Sequence, residues 1–242
     1  SWTTPMHIVT PSNWLASYVK KSDIMPDWPV TVIPNIIDTS LFKPLNKTAC
    51  KNIFGFTEEK NLILFGAFAA ILNKNKGISI LLKALDHISE KISNNSELII
   101  FGQDKPQGFK HGKFNKIRWI GSINDEKKMC ELYNCVDVVV VPSRIESFSL
   151  VAAEAQACGV PVVAFRNGGI QEVVTHMQTG YLANPFEYSD LAYGIIWTIK
   201  NSETLSPFAR KKACEEWSPE VIVPKYLKLY KSVLKNFNKQ LK

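Results

Sequence analysis

The sequence predicts an α/β domain built on a mostly parallel sheet, and three observations carry that reading. Short β-branched runs alternate with helical stretches, which is how strands joined by crossover helices are written. The run Leu62–Phe65 is apolar without a break, as expected of a strand buried on both faces. At 242 residues and 45% hydrophobic, the chain can bury a real core and is long enough for one large domain plus a smaller appendage.

In chain order, His7–Val9 reads as a short strand, followed by a Thr-Pro-Ser turn and a helix over about 13–20. Val30–Ile33 is an extended run stopped by Pro34-Asn35, and Pro34–Pro44 reads as a linker. Leu62–Phe65 opens the main sheet. A helix over Gly77–Ile92 follows, with Ile78, Leu81, Leu82, Leu85 and Ile88 on one face. Strands at Leu98–Phe101 and Ile117–Ile120 come next, then a helix near 125–133 and a strand at Val136–Val141. A helix from about Leu150 to Cys158 leads to a strand at Val160–Phe165. Helices near 187–200, 206–215 and 219–238 finish the chain. The count from Leu62 to Phe165 is five or six strands with intervening helices, one complete Rossmann-like domain. Residues 1–40 supply a strand and a helix outside that sheet by sequence order. Gln103–Phe114, with Gly108 and Gly112, is the best candidate for a mobile loop.

Several function classes are disfavoured. The net charge of +7 is concentrated at one end, because Val221–Lys242 holds six lysines and no acid. The near-neutral body argues against a nucleic-acid surface, and no helix-turn-helix, zinc-finger or RNP-like pattern appears. Five cysteines without a CxxC pair read as reduced thiols in a cytosolic protein. His7, His87, His111 and His176 lack metal-ligand spacing, and there is no DxD motif. No apolar run approaches the ~20 residues that span a bilayer. The first residues have neither a basic region nor a cleavage signature. A start at Ser rather than Met points to a piece of something longer. No G-x-G-x-x-G follows any expected strand, which argues against a Rossmann dehydrogenase.

The residues that carry chemistry cluster in Val138–Phe165, which runs strand, Pro-Ser turn, carboxylate, helix, Gly-Val-Pro turn, strand. In open α/β sheets ligands bind beyond the carboxyl ends of the strands, where Ser143–Phe148 falls. The helix starting near Ser147–Ser149 offers unpaired backbone N–H groups, a natural anion site. Glu146 lies before that helix and Glu154 within it. Glu154 is embedded in LVAAEAQACGV, where a buried carboxylate is costly without a specific partner. A second constellation, FGAFAAILNKNKGISILL (65–82), places a glycine turn after a strand and a Lys-Gly at a helix start. Lysine there suits a diphosphate leaving group as a point charge.

These motifs resemble glycosyltransferase family 4, whose members have the two-domain GT-B fold. The family pattern PS…E-x7-E followed by A-x-G-x-P-V stands here as Pro142-Ser143, Glu146, Glu154, Ala157, Gly159, Pro161 and Val162. VTPSNWL (9–15) resembles the end of the family's N-terminal domain, and VIPNIIDTSLFKP (32–44) its interdomain linker, with Ile36 in place of the usual Gly. NGGIQEVV…TGYLANP (167–185) resembles its Gly-Gly turn and the segment after it.

The resemblance implies a nucleoside-diphosphate sugar as substrate, no metal or other cofactor, and transfer with retained anomeric configuration to a glycan or lipid-linked acceptor. It implies that residues 1–40 are a remnant of an acceptor domain with its linker, that 41–205 form the Rossmann-like donor domain, and that 206–242 are C-terminal helices. Glu154 would accept from the ribose hydroxyls and Glu146 would contact the transferred sugar. Backbone amides around Phe148, Ser149 and Leu150 would hold diphosphate or sugar. Glu146 and Lys76 are the expected catalytic pair. Gly66, Ala67 and Lys74 would line the phosphate side; Gly102, Ile120 and Gly121 would surround the base. Two departures stand out. The usual Gly-Phe-Gly after the first Glu is Ser147-Phe148-Ser149 here. The usual Arg after the strand glycine is Ala67, for which Lys74 is the candidate substitute.

Projected at about 100° per residue, the last helix puts Lys225, Lys228, Lys231, Lys235, Lys239 and Lys242 on one arc. Ile222, Tyr226, Leu229, Tyr230, Val233, Leu234, Phe237 and Leu241 fall opposite. Residues 219–242 therefore fit peripheral contact with the inner face of a membrane, or an apolar face packed on protein with solvated lysines. The whole reads as a cytoplasmic glycosyltransferase domain, inactive without its N-terminal partner domain. The alternatives are a non-catalytic nucleotide-sugar-binding module and a sugar-nucleotide epimerase of the same fold.

Overall fold

The computed structural model describes residues 6–66, 73–88, 90–109, 111–114 and 116–240. A first strand, β1 (Ile8–Thr10), leads through Ser12 into helix α1 (Asn13–Lys20) and back to β2 (Val30–Val32). β1 and β2 pair in parallel, Ile8 opposite Val30, as a two-stranded sheet of their own.

Helix α2 (Lys47–Phe54) starts at Asn46, whose side chain accepts from the Ala49 amide, and stops at Gly55 in the left-handed conformation. Then come β3 (Asn61–Gly66), a 3-10 turn at Lys74–Lys76, α3 (Ile78–Asp86), α4 (Glu90–Asn94), β4 (Ser96–Phe101) and β5 (Ile117–Trp119). The second half of the sheet follows as α5 (Glu126–Cys135), β6 (Val138–Val141), α6 (Leu150–Ala157), β7 (Val162–Phe165), α7 (Ile170–Val173) and β8 (Gly180–Ala183). Helices α8 (Tyr188–Lys200), α9 (Ser202–Trp217) and α10 (Pro219–Gln240) end the described chain.

Six strands form one all-parallel sheet in the order β5-β4-β3-β6-β7-β8. Each face carries an apolar layer. On one side Leu62, Leu64, Val139 and Val141 meet α2, α5 and α6; on the other Ile63, Phe65, Val138 and Val140 meet α3 and α8. Burial on both faces explains the unbroken apolar runs of the central strands. From β3 the chain winds outward through β4 and β5, then returns to lay β6, β7 and β8 on the opposite side. The direction therefore reverses between β3 and β6, which creates a crevice at their carboxyl ends.

The structure corrects the expected boundaries in several places. The single helix over Gly77–Ile92 is two helices, α3 and α4. At the end of α3 the His87 amide closes onto Ala84 O and its imidazole Nδ1 is bonded to Lys83 O, so the helical ladder is not extended. Helices α2 and α7 and strand β8 add elements that the periodicity did not reveal. The sixth strand is β8, beyond Phe165. The first strand is Ile8–Thr10 rather than His7–Val9.

The segment joining the two sheets is pinned to the C-terminal helices. Arg210 of α9 donates to the carbonyls of Phe42, Ala157 and Thr39 at 2.7–2.9 Å, and Ile37 N donates to Trp217 O. α10 then runs outward: Ile222 is buried, while Val223, Leu227, Tyr230, Leu234 and Phe237 are exposed along it. No helix among the described residues is long and apolar enough to cross a membrane.

Candidate functional site

The crevice between β3 and β6 holds a cavity of about 330 Å³. Phe65 and Gly66 line it from the end of β3, Val141, Pro142 and Ser143 from the end of β6, and Ser149, Leu150 and Val151 from the start of α6. Lys76, Glu146, Ser147 and Asn35 complete the wall.

Lys76 and Glu146 are 70 residues apart in sequence and meet in an ion pair, Nζ to Oε1 at 2.9 Å. Both are partly withdrawn from water, Glu146 the more so. Local backbone geometry makes the pair. Asn73 caps the 3-10 turn, and Gly77 ends it with φ +73°. A Cβ on Gly77 would lie 1.9 Å from Pro142 O, so only glycine lets the start of α3 press against the β6–α6 loop. Arg144 N donates to Asn75 O at 2.7 Å and ties the same two loops together.

At the start of α6, Ser149 takes the position where a glycine is usual in the resemblance. Its φ is +87°, a conformation that costs a side-chain-bearing residue about 1–3 kcal/mol. Its hydroxyl turns back to accept from the Ala152 amide, capping its own helix. The amides of Leu150 and Val151 have no acceptor among the described residues, and both residues line the cavity. A helix N-terminus with open N–H groups beside a lysine is an anion-binding arrangement. Phe148 does not face the cavity with its ring. It is buried edge-on against Trp217, centroids 5.7 Å apart, and anchors the loop from below.

Glu154 lies one turn further along α6, half-buried among Ala152, Ala153, Ala155 and Ala157. The expected specific partner exists: the Tyr133 hydroxyl of α5 donates to Oε2 at 2.8 Å. Burial pushes the Glu154 carboxyl up to about 7; the tyrosine hydrogen bond opposes this, and the negative charge of Glu126 adds to it. Burial and the neighbouring carboxylate push the Tyr133 hydroxyl upward too, so it stays a neutral donor.

The other expected residues divide. Gly66 lies in the cavity wall, and a Cβ there would strike the Phe101 ring. Lys74 is exposed at the start of the 3-10 turn and is not part of the wall. Gly102 and Gly121 join through the Gly102 amide and Gly121 carbonyl at the ends of β4 and β5, each at positive φ. Ile120 lines a separate cavity of about 570 Å³ with Ile53, Phe54, Ile123 and Lys128. Ala67 lies outside the described residues. Sequence reasoning missed Tyr133, whose phenol sits in an ordinary helical stretch, and Asn35, which resembled a mere linker residue. Among the described residues no group of three or more His, Cys, Asp or Glu side chains could hold a metal.

The chain belongs to the glycosyl transferases group 1 family, whose model matches residues 46–213. It is 31% identical over 180 residues to the D-inositol 3-phosphate glycosyltransferase of Xylanimonas cellulosilytica, covering 67% of this chain and 42% of that protein. It is 29% identical over 221 residues to the N-acetyl-alpha-D-glucosaminyl L-malate synthase of Bacillus anthracis, covering 88% of this chain and 56% of that one. The chain thus spans about half the length of the curated relatives it matches. The crystal structure of Anabaena HepE in complex with UDP-glucose superposes with a TM-score of 0.74 at 23% identity, over 93% of this chain and 63% of that one. That likeness shows the fold, the Rossmann-like C-terminal domain of GT-B glycosyltransferases.

Proposed function

We propose that this chain is the donor-binding half of a retaining glycosyltransferase that takes a nucleoside-diphosphate sugar. The observation that carries the reading is the meeting of Lys76, Glu146 and the open N-terminus of α6 in one cavity at the sheet's reversal point. Lys76, Leu150 and Val151 line the same space, so a diphosphate there would receive one cation and the two backbone donors that open α6. Those contacts grow stronger as negative charge develops on the leaving group. Glu146, held by Lys76, offers its second oxygen to a sugar hydroxyl. Glu154 offers the free side of its carboxylate to the ribose diol, with Tyr133 fixing the other side. The turn at Gly102, Ile120 and Gly121 takes the base, and no metal is needed in this scheme.

The donor class is supported by the HepE complex with UDP-glucose, a property of that protein. The acceptor, a glycan or lipid-linked sugar, would be held by a preceding domain, and this chain alone would turn over little. We place the reaction in the cytoplasm, in keeping with five free cysteines. The exposed apolar face of α10 suits either that preceding domain or a membrane. Liposome co-sedimentation with and without residues 225–242 separates the two.

A thermal-shift panel of UDP, GDP, ADP and their sugars tests the central reading. A ligand at 100 times its dissociation constant adds about 2.7 kcal/mol of stability. Silence toward all of them would sink it. Consumption of a UDP-sugar without acceptor would instead favour the epimerase. Binding without transfer, even with an N-terminal domain restored, would leave a non-catalytic module.

A further inference from the structure

Helix α1 begins with N–H groups that its own segment satisfies only in part. Ser12 Oγ accepts from Leu15 N at 3.2 Å, and α1 has no acid in its first turn. The remaining donors go to a residue about 160 positions away: Asn13 N and Asn13 Nδ2 donate to Glu172 Oε2 at 2.9 and 2.8 Å, and Trp14 N donates to Oε1 at 2.8 Å. Both oxygens of one carboxylate are engaged, and its negative charge faces the positive end of the α1 dipole.

Glu172 sits on α7, directly after the Gly168-Gly169 turn, and that turn is pressed between two partners. Gly169 N donates to Glu146 O at 2.7 Å, and a Cβ on Gly168 would stand 2.6 Å from the same oxygen. A Cβ on Gly169 would meet Ser147 O at 2.0 Å and Ser12 Oγ at 2.7 Å. Ser12 and Thr10 are buried there. The glycine turn is therefore pressed between the Ser12 hydroxyl, at the entry to α1, and the backbone of the loop that carries Glu146.

We infer that Glu172 is a positioning residue: it locks α1 onto the glycine turn and thereby fixes the Glu146 loop on the sugar side of the site. The inference rests on the donor-site reading above. The ribose side stands apart from this lock, because Glu154 is held by Tyr133 of α5, whereas the diphosphate shares Lys76 with Glu146. Loss of the Glu172 carboxylate therefore costs recognition of the sugar more than that of the nucleotide.

The 242-residue chain, its Glu172→Gln variant and the milder Asn13→Ala variant test this by amide hydrogen exchange and by titration with UDP and UDP-glucose. In Glu172→Gln, exchange at Asn13–Leu15 and at Arg144 and Gly169, the amides bonded at the two ends of the Glu146 loop, should accelerate together, at least tenfold. UDP-glucose affinity should fall at least tenfold while UDP affinity falls by less, about threefold. Asn13→Ala, which removes one of the three bonds, should move in the same direction by less. Exchange that rises at α1 without the Glu146 loop overturns the lock, as does an equal loss for both ligands. If the unaltered chain binds neither ligand, the donor reading fails, and coupled or uncoupled exchange alone decides the lock.

Discussion

Glu146 and Glu154 are the same acid eight residues apart, and the fold treats them in opposite ways. Glu146 is met by a cation at 2.9 Å in the cavity wall. Glu154 sits among alanines with a neutral phenol as its partner, and its carboxyl rises to about 7. An ion pair supplies its own counter-charge and stays ready to hold a charged region together. A half-buried carboxylate with only a phenol is still short of donors, and a diol supplies two. In the proposed function, that contrast would suit one carboxylate to a diphosphate and its sugar and the other to a ribose.

The strongest way to break the comparison is at Gly77, which brings Lys76 to Glu146. Gly77→Ala would force a Cβ to within 1.9 Å of a backbone carbonyl at φ +73°. Neither atom belongs to a flexible side chain, so the start of α3 must move. The expected cost is about 2–4 kcal/mol of stability, read by urea denaturation, with loss of nucleotide binding in the protein that remains folded. Unchanged stability would mean that the two loops are less tightly opposed than the geometry implies.

Next in size is the protonation of Glu154. Its folded value of about 7 exceeds the ordinary 4.5, so between these limits the folded protein keeps a proton that the unfolded chain has released. Stability must therefore fall as pH rises through that window, with the penalty complete above pH 7. It amounts to at most about 3 kcal/mol, less whatever solvent reaches the carboxylate. Thermal midpoints between pH 4.5 and 8 should decline in the native protein and stay flatter in Glu154→Gln. Binding runs the other way. A diol prefers the anion, so UDP-sugar affinity should rise with pH up to about 7 and the slope should vanish in Glu154→Gln. Sugar-diphosphate diesters are already ionised across this range, so the slope belongs to the protein.

Much of this was legible in the sequence, for identifiable reasons. β3 and β6 are buried on both faces and announce themselves as apolar runs. The Glu146 and Glu154 spacing and the Lys76-Gly77 pair could be recognised because each lies on a short contiguous motif. What escaped depends on contacts between distant segments. Tyr133 is one aromatic among many until α5 packs beside α6. Glu172 looks like a surface acid until α1 docks on it. The break after α3 could not be read from periodicity, because Ile88 continues the apolar pattern and only His87 closes the helix. Short α7 and β8 lack the length over which a period can be detected.

The smallest expected effect concerns the cation that the sequence lacks at Ala67. Lys76 is in the cavity wall and partly withdrawn from water, whereas Lys74 is exposed two residues before it. An exposed charge acts through screened solvent over a Debye length of about 8 Å at physiological salt. Lys76→Ala should therefore weaken UDP binding on the order of tenfold to a hundredfold, by removing a charge-assisted contact of about 1.5–3 kcal/mol. Lys74→Ala should weaken it about threefold at low salt, and that difference should disappear near 0.5 M salt, about where the screening length has halved. Titrations at two ionic strengths check both. If Lys74→Ala leaves the affinity undiminished at low salt, Lys74 does not stand in for the missing arginine, and the leaving group relies on Lys76 and the α6 amides alone.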